Sequence, residues 1–96
     1  MNKKCLIEII RVDESIEHHT LSNHGLIIAV TAMIGAEVCD SVNLMNGKVM
    51  IVDDTGKLEG KPINPIATDL YHIKCGWVTA NSIHGDVAIC TDNDFA

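Results

Sequence analysis

The residues of this chain that could do chemistry are a few histidines, cysteines and carboxylates, and the most suggestive ones lie in its last third. Asn64 and Thr68 stand at the start of a helical segment, and His84-Gly85-Asp86 forms a turn before an apolar run. The N–H groups at a helix start attract anions. Asn64 also suits a helix cap and Thr68 a bond to its own helix, and this structural interpretation is favoured. If the chain has a ligand-binding site, we expect it to contain Asn64, Thr68, His84, Gly85 and Asp86.

Two other groups resemble parts of metal sites. Asp53-Asp54-Thr55-Gly56 places two carboxylates before a glycine, as hard cations prefer, but the remaining ligands of a calcium loop are missing. A solvated turn with Gly56 in a left-handed conformation is favoured. His72 and Cys75 share a helix face and form half a zinc site. The other half would come from His18, His19, His24 or His84 without a supporting spacing, so we expect no metal and no cofactor and leave the role of His72 and Cys75 open.

Sequence motifs for catalysis are missing. The chain has no Gly-x-Ser-x-Gly elbow, no Walker loop and no dinucleotide fingerprint, and no cysteine has in sequence the basic, partly exposed setting that activates a thiolate. We therefore expect no enzyme and no catalytic residues. A small hydrolase stays an alternative, because acids and bases from distant positions can assemble in the fold.

The charge of the chain argues against nucleic-acid binding. The formal charge is −6, from 13 acidic and 7 basic residues, and only Lys3-Lys4 are adjacent. Phosphate contacts need a basic patch and base stacking needs aromatic rings, whereas this chain has one Trp, one Tyr and one Phe. An acidic DNA-mimic inhibitor is a further alternative, although Glu37 and Asp40 are the only acids between Ala29 and Val52.

Composition also indicates where the protein works. The first apolar stretch, Cys5 to Ile10, is too short for a signal peptide or a membrane span, and the four cysteines are widely spaced free thiols. We expect a cytoplasmic protein without membrane contact. Since 47% of so short a chain is hydrophobic, some apolar side chains should stay outside the core, which predicts a homo-oligomer.

The elements that position these residues form one predicted domain, residues 1–96, with a core of about 4–91 and a frayed tail at 92–96. Apolar runs predict strands near 4–12, 36–45, 48–52 and 86–91 and helices near 26–34 and 65–75. The segment 16–20 is an edge strand or a loop, and 58–63 is an extended piece at the edge or outside the sheet. The predicted fold is α+β, with two helices on a small mixed or antiparallel sheet and the order β-α-β-β-(β)-α-β.

Local signals fix several ends of these elements. Asn64-Pro65 predicts a capped helix start, and Asn46-Gly47 predicts a type I′ hairpin turn. Ser22 or Asn23 is expected to cap the first helix, and Gly35 to end it with a positive φ. The nearly continuous apolar run of the first strand predicts burial on both faces.

Short motifs between Leu21 and Ile89 carry a family resemblance. The most specific is Asn64-Pro65-x-Ala67-Thr68. The others are Ile34-Gly35, Glu37, the segment Ile51-Val52-Asp53-Asp54-Thr55-Gly56-Lys57-Leu58, and Ile83-x-Gly85-Asp86-Val87. With them the chain resembles domain-of-unknown-function family 3846, small proteins of phages, plasmids and conjugative elements. It departs from the pattern at Asp53, where the family often has Asn, and at Ile34-Gly35-Ala36, which replaces a Gly-Gly-Tyr-like junction.

The resemblance implies a fold and a phage or mobile-element origin, and it implies no activity. Many phage counter-defence proteins sequester a host component. Together with the missing catalytic motifs, this predicts a non-enzymatic binding module whose partner is a host protein or a small molecule.

Overall fold

The computed structural model describes residues 4–75 and 81–91. The strands in these ranges are β1 (Lys4–Ile10), β2 (Ile16–Ser22), β3 (Cys39–Asn43), β4 (Lys48–Asp53) and β5 (Val87–Thr91), and the helices are α1 (Leu26–Met33) and α2 (Pro65–Lys74). No helix in the described ranges is long and apolar enough to cross a membrane. The predicted tail at 92–96 lies outside the described residues.

The strands form one sheet in the order β2-β1-β5-β4-β3, and every neighbouring pair is antiparallel. The last strand of the chain, β5, therefore lies in the middle, between β1 and β4. The predicted α+β class is confirmed. The segment at 16–20 is an edge strand and not a loop, so the order of elements is β-β-α-β-β-α-β.

The two helices cover opposite faces of the sheet. On one face α1 packs Leu26, Val30 and Ile34 against the strands. On the other face α2 packs Ala67 against a second cluster, built from Ile10, Met50, Val52, Val87 and Ile89. Because side chains alternate along a strand, the continuous apolar runs of β4 and β5 supply both clusters.

The predicted burial of β1 on both faces is wrong for its first half. Cys5, Ile7 and Ile9 are buried beneath α1, whereas Leu6 is 76% exposed on the opposite face. Although β1 has a strand on each side, α2 covers the sheet over β5 and β4. An apolar run shows that the side chains of a strand can be buried on both faces. Which of them are buried depends on where the helices pack on the sheet.

Of three predicted helix ends, two follow the local signals. Asn64 caps α2 through its side chain and Pro65 occupies the first turn, as predicted. Gly35 follows α1 with φ of 70°, also as predicted. The predicted caps of α1 are wrong, since Gly25 occupies that position with φ of 68° and without a side-chain cap. The hydroxyl of Ser22 accepts a hydrogen bond from the N–H of His24 instead.

The connections on both sides of β4 differ in kind. Asn46 and Gly47 have φ of 62° and 71°, and the Lys48 N–H donates to the Met45 carbonyl, which is the predicted type I′ turn. After β4 the chain makes consecutive turns over 54–60 and stays outside the sheet. Within the described residues, the stretch between β4 and α2 makes one contact of strand type, the isolated bridge between Ile63 and His84.

Candidate functional site

The five predicted ligand-binding residues lie together, where the segment 81–86 crosses the start of α2. Asn64 is fully buried and holds this junction. Its side-chain N–H groups donate to the carbonyls of Ile10 (2.9 Å) and Gly85 (3.0 Å), and its oxygen accepts from the Ala67 N–H (3.1 Å). Asn64 is thus a cap and a bridge between β1, α2 and the 81–86 segment, with its polar atoms engaged inside the chain.

Thr68 fastens the same segment one turn further along α2. Its hydroxyl accepts from the Ile83 N–H at 3.0 Å, and the Ile83 carbonyl accepts from the Asn64 N–H at 2.8 Å. The predicted bond of Thr68 to its own helix is therefore replaced by a bond to a segment 15 residues away. These hydrogen bonds hold Ile83, the residue before His84, against the start of α2.

Gly85 and Asp86 tie the segment to the rest of the fold. Gly85 has φ of 87° and donates its N–H to the Pro62 carbonyl at 2.8 Å. Asp86 accepts from the Arg11 guanidinium at 2.9 Å and from the Val12 N–H at 3.0 Å. Both residues therefore have a structural role, and their predicted ligand contacts stay a prediction.

Among the five predicted residues, His84 lines an open cleft beside α2. Its Nδ1 lies 2.8 Å from the Lys61 carbonyl, and its Nε2 lies 2.8 Å from the Ser82 hydroxyl. A carbonyl can only accept, so Nδ1 carries the proton, and in the neutral ring Nε2 accepts from Ser82. Asp53 and Asp54, the carboxylates of the turn after β4, are not among these hydrogen-bond partners of His84.

A cleft of about 380 Å³ opens beside His84, between α2, the strands β3 and β4, and the turns after β4. Its lining combines an apolar floor with a polar rim. The apolar lining residues, called the floor, are Val42, Val52, Tyr71 and Ile83. The polar ones, called the rim, are Asp40, Asp54, Lys57, Asn81, Ser82 and His84, and Asp53 lines the cleft with its side chain buried. A volume of this size suits a small organic molecule or one side chain of a partner.

Gly56 packs against the backbone of His84, one of the residues that line the cleft. A Cβ on Gly56 would lie 2.7 Å from the His84 carbonyl oxygen, so the turn after β4 can pack against the 81–86 segment only with glycine there. The predicted left-handed conformation is wrong, because Gly56 has no positive φ. Close approach of two backbones is the reason for this glycine.

The carboxylates of the cleft are in two different states. The side chain of Asp53 is fully buried and pairs with the ammonium of Lys61. Burial raises the pKa of Asp53, but hydrogen bonds from Lys61 and Thr55 outweigh it, so the net pKa lies below its ordinary value. Asp40 and Asp54 are exposed, and neither forms an ion pair with the residues of 4–75 or 81–91. They carry the free negative charge of the rim.

Sequence reasoning missed the Arg11 network next to the site. Arg11 donates to Asp86, to Glu17 and to the Met33 carbonyl at the end of α1, each at 2.9 Å. Hydrogen bonds from Arg11 first and from His19 second lower the pKa of Glu17 to about 2. Asp86 follows Arg11 by 75 residues, and no local pattern signals such a pair.

The half zinc site is not completed in the described part of the chain. No group of three His, Cys, Asp or Glu residues there lies close enough to hold a metal ion. The Nε2 of His72 instead lies 2.6 Å from the Asn81 carbonyl.

Comparisons with protein-family models, with curated proteins and with solved structures find no match to this chain. The resemblance to family 3846 therefore stays a prediction.

Proposed function

We propose that this protein is a cytoplasmic, non-enzymatic binding module whose cleft captures an organic cation, an ammonium or guanidinium group on a short apolar stem. The observation that carries the proposal is the pairing of an apolar floor with Asp40 and Asp54, two rim carboxylates that form no ion pair within the described residues. The cation belongs to a small molecule or to a Lys or Arg side chain of a host protein.

Electrostatics favours a cation over other ligands. The whole chain carries a formal charge of −6, so anions are repelled before they reach the cleft. Among the described residues that line the cleft, Lys57 is the one lysine or arginine, and Asp40 and Asp54 outnumber it. Both carboxylates are solvent-exposed, so each contact contributes about 0.2–1 kcal/mol and weakens with salt.

The floor supplies the second half of the recognition. Val42 and Val52 offer apolar surface to the stem of the ligand, and Tyr71 supplies an aromatic ring, a group whose face attracts cations. Ser82 and Asn81 add polar groups to the rim. A ligand with charge at one end and an apolar body matches this distribution better than a uniformly polar one.

Two further arguments support the biological setting. The cysteines form no disulfide bond in the described part of the chain, which fits a reducing compartment, and Cys5 and Cys90 are buried as small hydrophobic residues. The resemblance to phage and mobile-element proteins favours a host target. In this setting the protein would work by sequestering its partner.

The test compares two probes of the same shape by calorimetric titration. Butylguanidinium carries a positive charge, and butylurea is its neutral counterpart. We expect butylguanidinium to bind with a Kd of about 0.1–1 mM and butylurea about fivefold or more weakly, a difference of about 1 kcal/mol. The Asp40→Asn, Asp54→Asn double variant should remove this preference. Asp69→Asn, at an exposed position of α2 outside the cleft lining, is the matched control and should keep it.

The source of the cation is decided by a third probe, a short peptide with one central arginine. Binding about tenfold tighter than butylguanidinium indicates a protein partner, since the flanking residues then contribute about 1.4 kcal/mol. Equal or weaker binding of the peptide indicates a small molecule. Equal affinity for butylguanidinium and butylurea would contradict the proposal.

A small hydrolase is the second candidate, favoured by one observation. The Ser82 hydroxyl donates to Nε2 of His84 while a carbonyl orients Nδ1, which is the arrangement that activates a serine nucleophile. It ranks second because no carboxylate orients His84 and the acidic rim opposes a developing oxyanion. Covalent labelling by a fluorophosphonate probe, lost in Ser82→Ala, would support the hydrolase, and an unlabelled wild-type protein would exclude it.

A further inference from the structure

Helix α1 has an outer face without charge. No residue from Leu26 to Ala36 is ionisable, although only one side of the helix is buried in the core. Ile28 is 75% exposed and Ile27 is 45% exposed. A surface helix normally carries polar residues on its solvent side, and a helix that is apolar all round is normally covered.

The exposed face of α1 has the shape of a helix-packing surface. Gly25, Ile28, Ala32 and Gly35 are all exposed and follow one another at intervals of three and four residues, so they form one line along the helix. Beside this line runs a groove of about 380 Å³, lined by Ile27, Ile28, Thr31, Ala32, Ala36 and Glu37. The face thus combines a projecting side chain, Ile28, with an adjacent groove.

The hydroxyl of Thr31, the one hydroxyl between Leu26 and Ala36, keeps its hydrogen bonds when a partner covers the face. Thr31 donates its hydroxyl hydrogen to the Ile27 carbonyl at 2.6 Å and accepts from the Cys39 thiol at 3.2 Å. Its polar atom is therefore satisfied within the chain. Covering the face removes apolar surface from water without leaving an unpaired polar group.

We propose that the outer face of α1 binds a second copy of this chain, with the two helices crossing about a two-fold axis. A symmetric interface must be complementary to itself, and here Ile28 and the groove that would receive the partner's Ile28 lie on the same face. The charge of the chain selects the same surface. Two copies of a protein with a charge of −6 repel each other, and along α1, from Leu26 to Ala36, they meet without opposing carboxylates, while Glu37 follows the helix at the groove.

The ends of the helix support an antiparallel arrangement. His24 is exposed just before α1, and Glu37 is exposed just after it. In an antiparallel pair the imidazole end of each helix lies near the carboxylate end of the other. A parallel pair would instead bring the two carboxylates together.

The length of α1 sets the expected strength of the dimer. Its eight residues span about 12 Å, so the contact falls at the small end of specific interfaces, below about 1,200 Å² in total. We therefore expect a Kd in the range of about 10–100 µM, with monomer dominant at about 1 µM and dimer at about 500 µM.

The test is sedimentation equilibrium across that concentration range. Ile28→Asp should leave the protein monomeric at all concentrations, because two carboxylates would then face each other across the axis. Leu58→Asp adds the same charge at a side chain that is 88% exposed in another part of the surface, and it should dimerise like the wild type. Circular dichroism checks that both variants are folded.

A mixing experiment tests the symmetry directly and does not depend on the loss of a signal. Ile28→Asp and Ile28→Lys should each be monomeric alone, and an equal mixture should form a one-to-one heterodimer in native mass spectrometry. Monomeric wild type at about 500 µM, five times or more the expected Kd, would overturn the proposal. Dimerisation of Ile28→Asp with the wild-type affinity, or loss of dimer in Leu58→Asp, would overturn it as well.

Discussion

Replacement of Asn64 by Asp separates the two roles of this buried residue. Asn and Asp cap helices about equally well, so a residue that only capped α2 would tolerate the change at a cost of about 0.5 kcal/mol or less. In the structure, however, the Asn64 amide also donates to the carbonyls of Ile10 and Gly85. Aspartate keeps the acceptor for Ala67 and loses both donors.

The expected cost follows from these contacts. Each of the two hydrogen bonds contributes about 1 kcal/mol, and each buried carbonyl left without its donor adds to the loss. The new carboxylate is fully buried against two carbonyl oxygens, so its pKa rises. We expect Asn64→Asp to destabilise the fold by about 3–5 kcal/mol at neutral pH, a large share of the roughly 5–14 kcal/mol available to a chain of this length.

The assay is urea denaturation followed by circular dichroism. Asn43→Asp, at an exposed position of the edge strand β3, adds the same charge without burial and serves as the control. The deficit of Asn64→Asp should shrink toward pH 5, because a protonated side chain regains one donor. A value for Asn64→Asp within about 1 kcal/mol of the Asn43→Asp control would refute the bridging role.

Three other predictions concern the surroundings of the site. Lys61→Met should cost about 2–3 kcal/mol in urea denaturation because it leaves the buried Asp53 carboxylate unpaired, and a cost below about 0.5 kcal/mol would contradict this. The pKa values of Asp53 and Glu17 lie below their ordinary values, so the folded state holds fewer protons there than the unfolded state. Their stabilisation should be full above about pH 5 and fall as the pH drops toward about 2, and a midpoint of unfolding that rises on acidification would contradict it. Gly56→Ala should lower the thermal midpoint by several degrees, about 1–2 kcal/mol, because its Cβ meets the His84 carbonyl, and an unchanged midpoint would show that the turn shifts freely.

Features with a local cause could be predicted from the sequence. The Asn64-Pro65 helix start and the Asn46-Gly47 turn depend on the φ preferences and side-chain acceptors of neighbouring residues, and both are present. The α+β class follows from apolar periodicity in the same way. The predicted cap of α1 failed because Gly25 takes the cap position directly before Leu26, and the Ser22 hydroxyl accepts from the His24 N–H instead.

Features that depend on distant residues could not be predicted. The insertion of β5 between β1 and β4 brings Asp86 to Arg11, and nothing near either residue signals the other. The sequence did place the predicted ligand residues in one locality. It did not reveal that the Asn64 amide donates to backbone carbonyls inside the fold, or that Asp40 and Asp54 line the open cleft.

The most direct test of the proposed function is a titration of the ¹⁵N-labelled protein with butylguanidinium, followed by amide chemical shifts. The account predicts saturable shifts at the cleft, at Asp54, Tyr71, Ser82 and His84, and none at Ile28 on the opposite face of the sheet. Butylurea at the same concentrations should leave these resonances nearly unmoved. Shifts spread over all exposed carboxylates, or equal shifts with both probes, would contradict a cation-selective cleft.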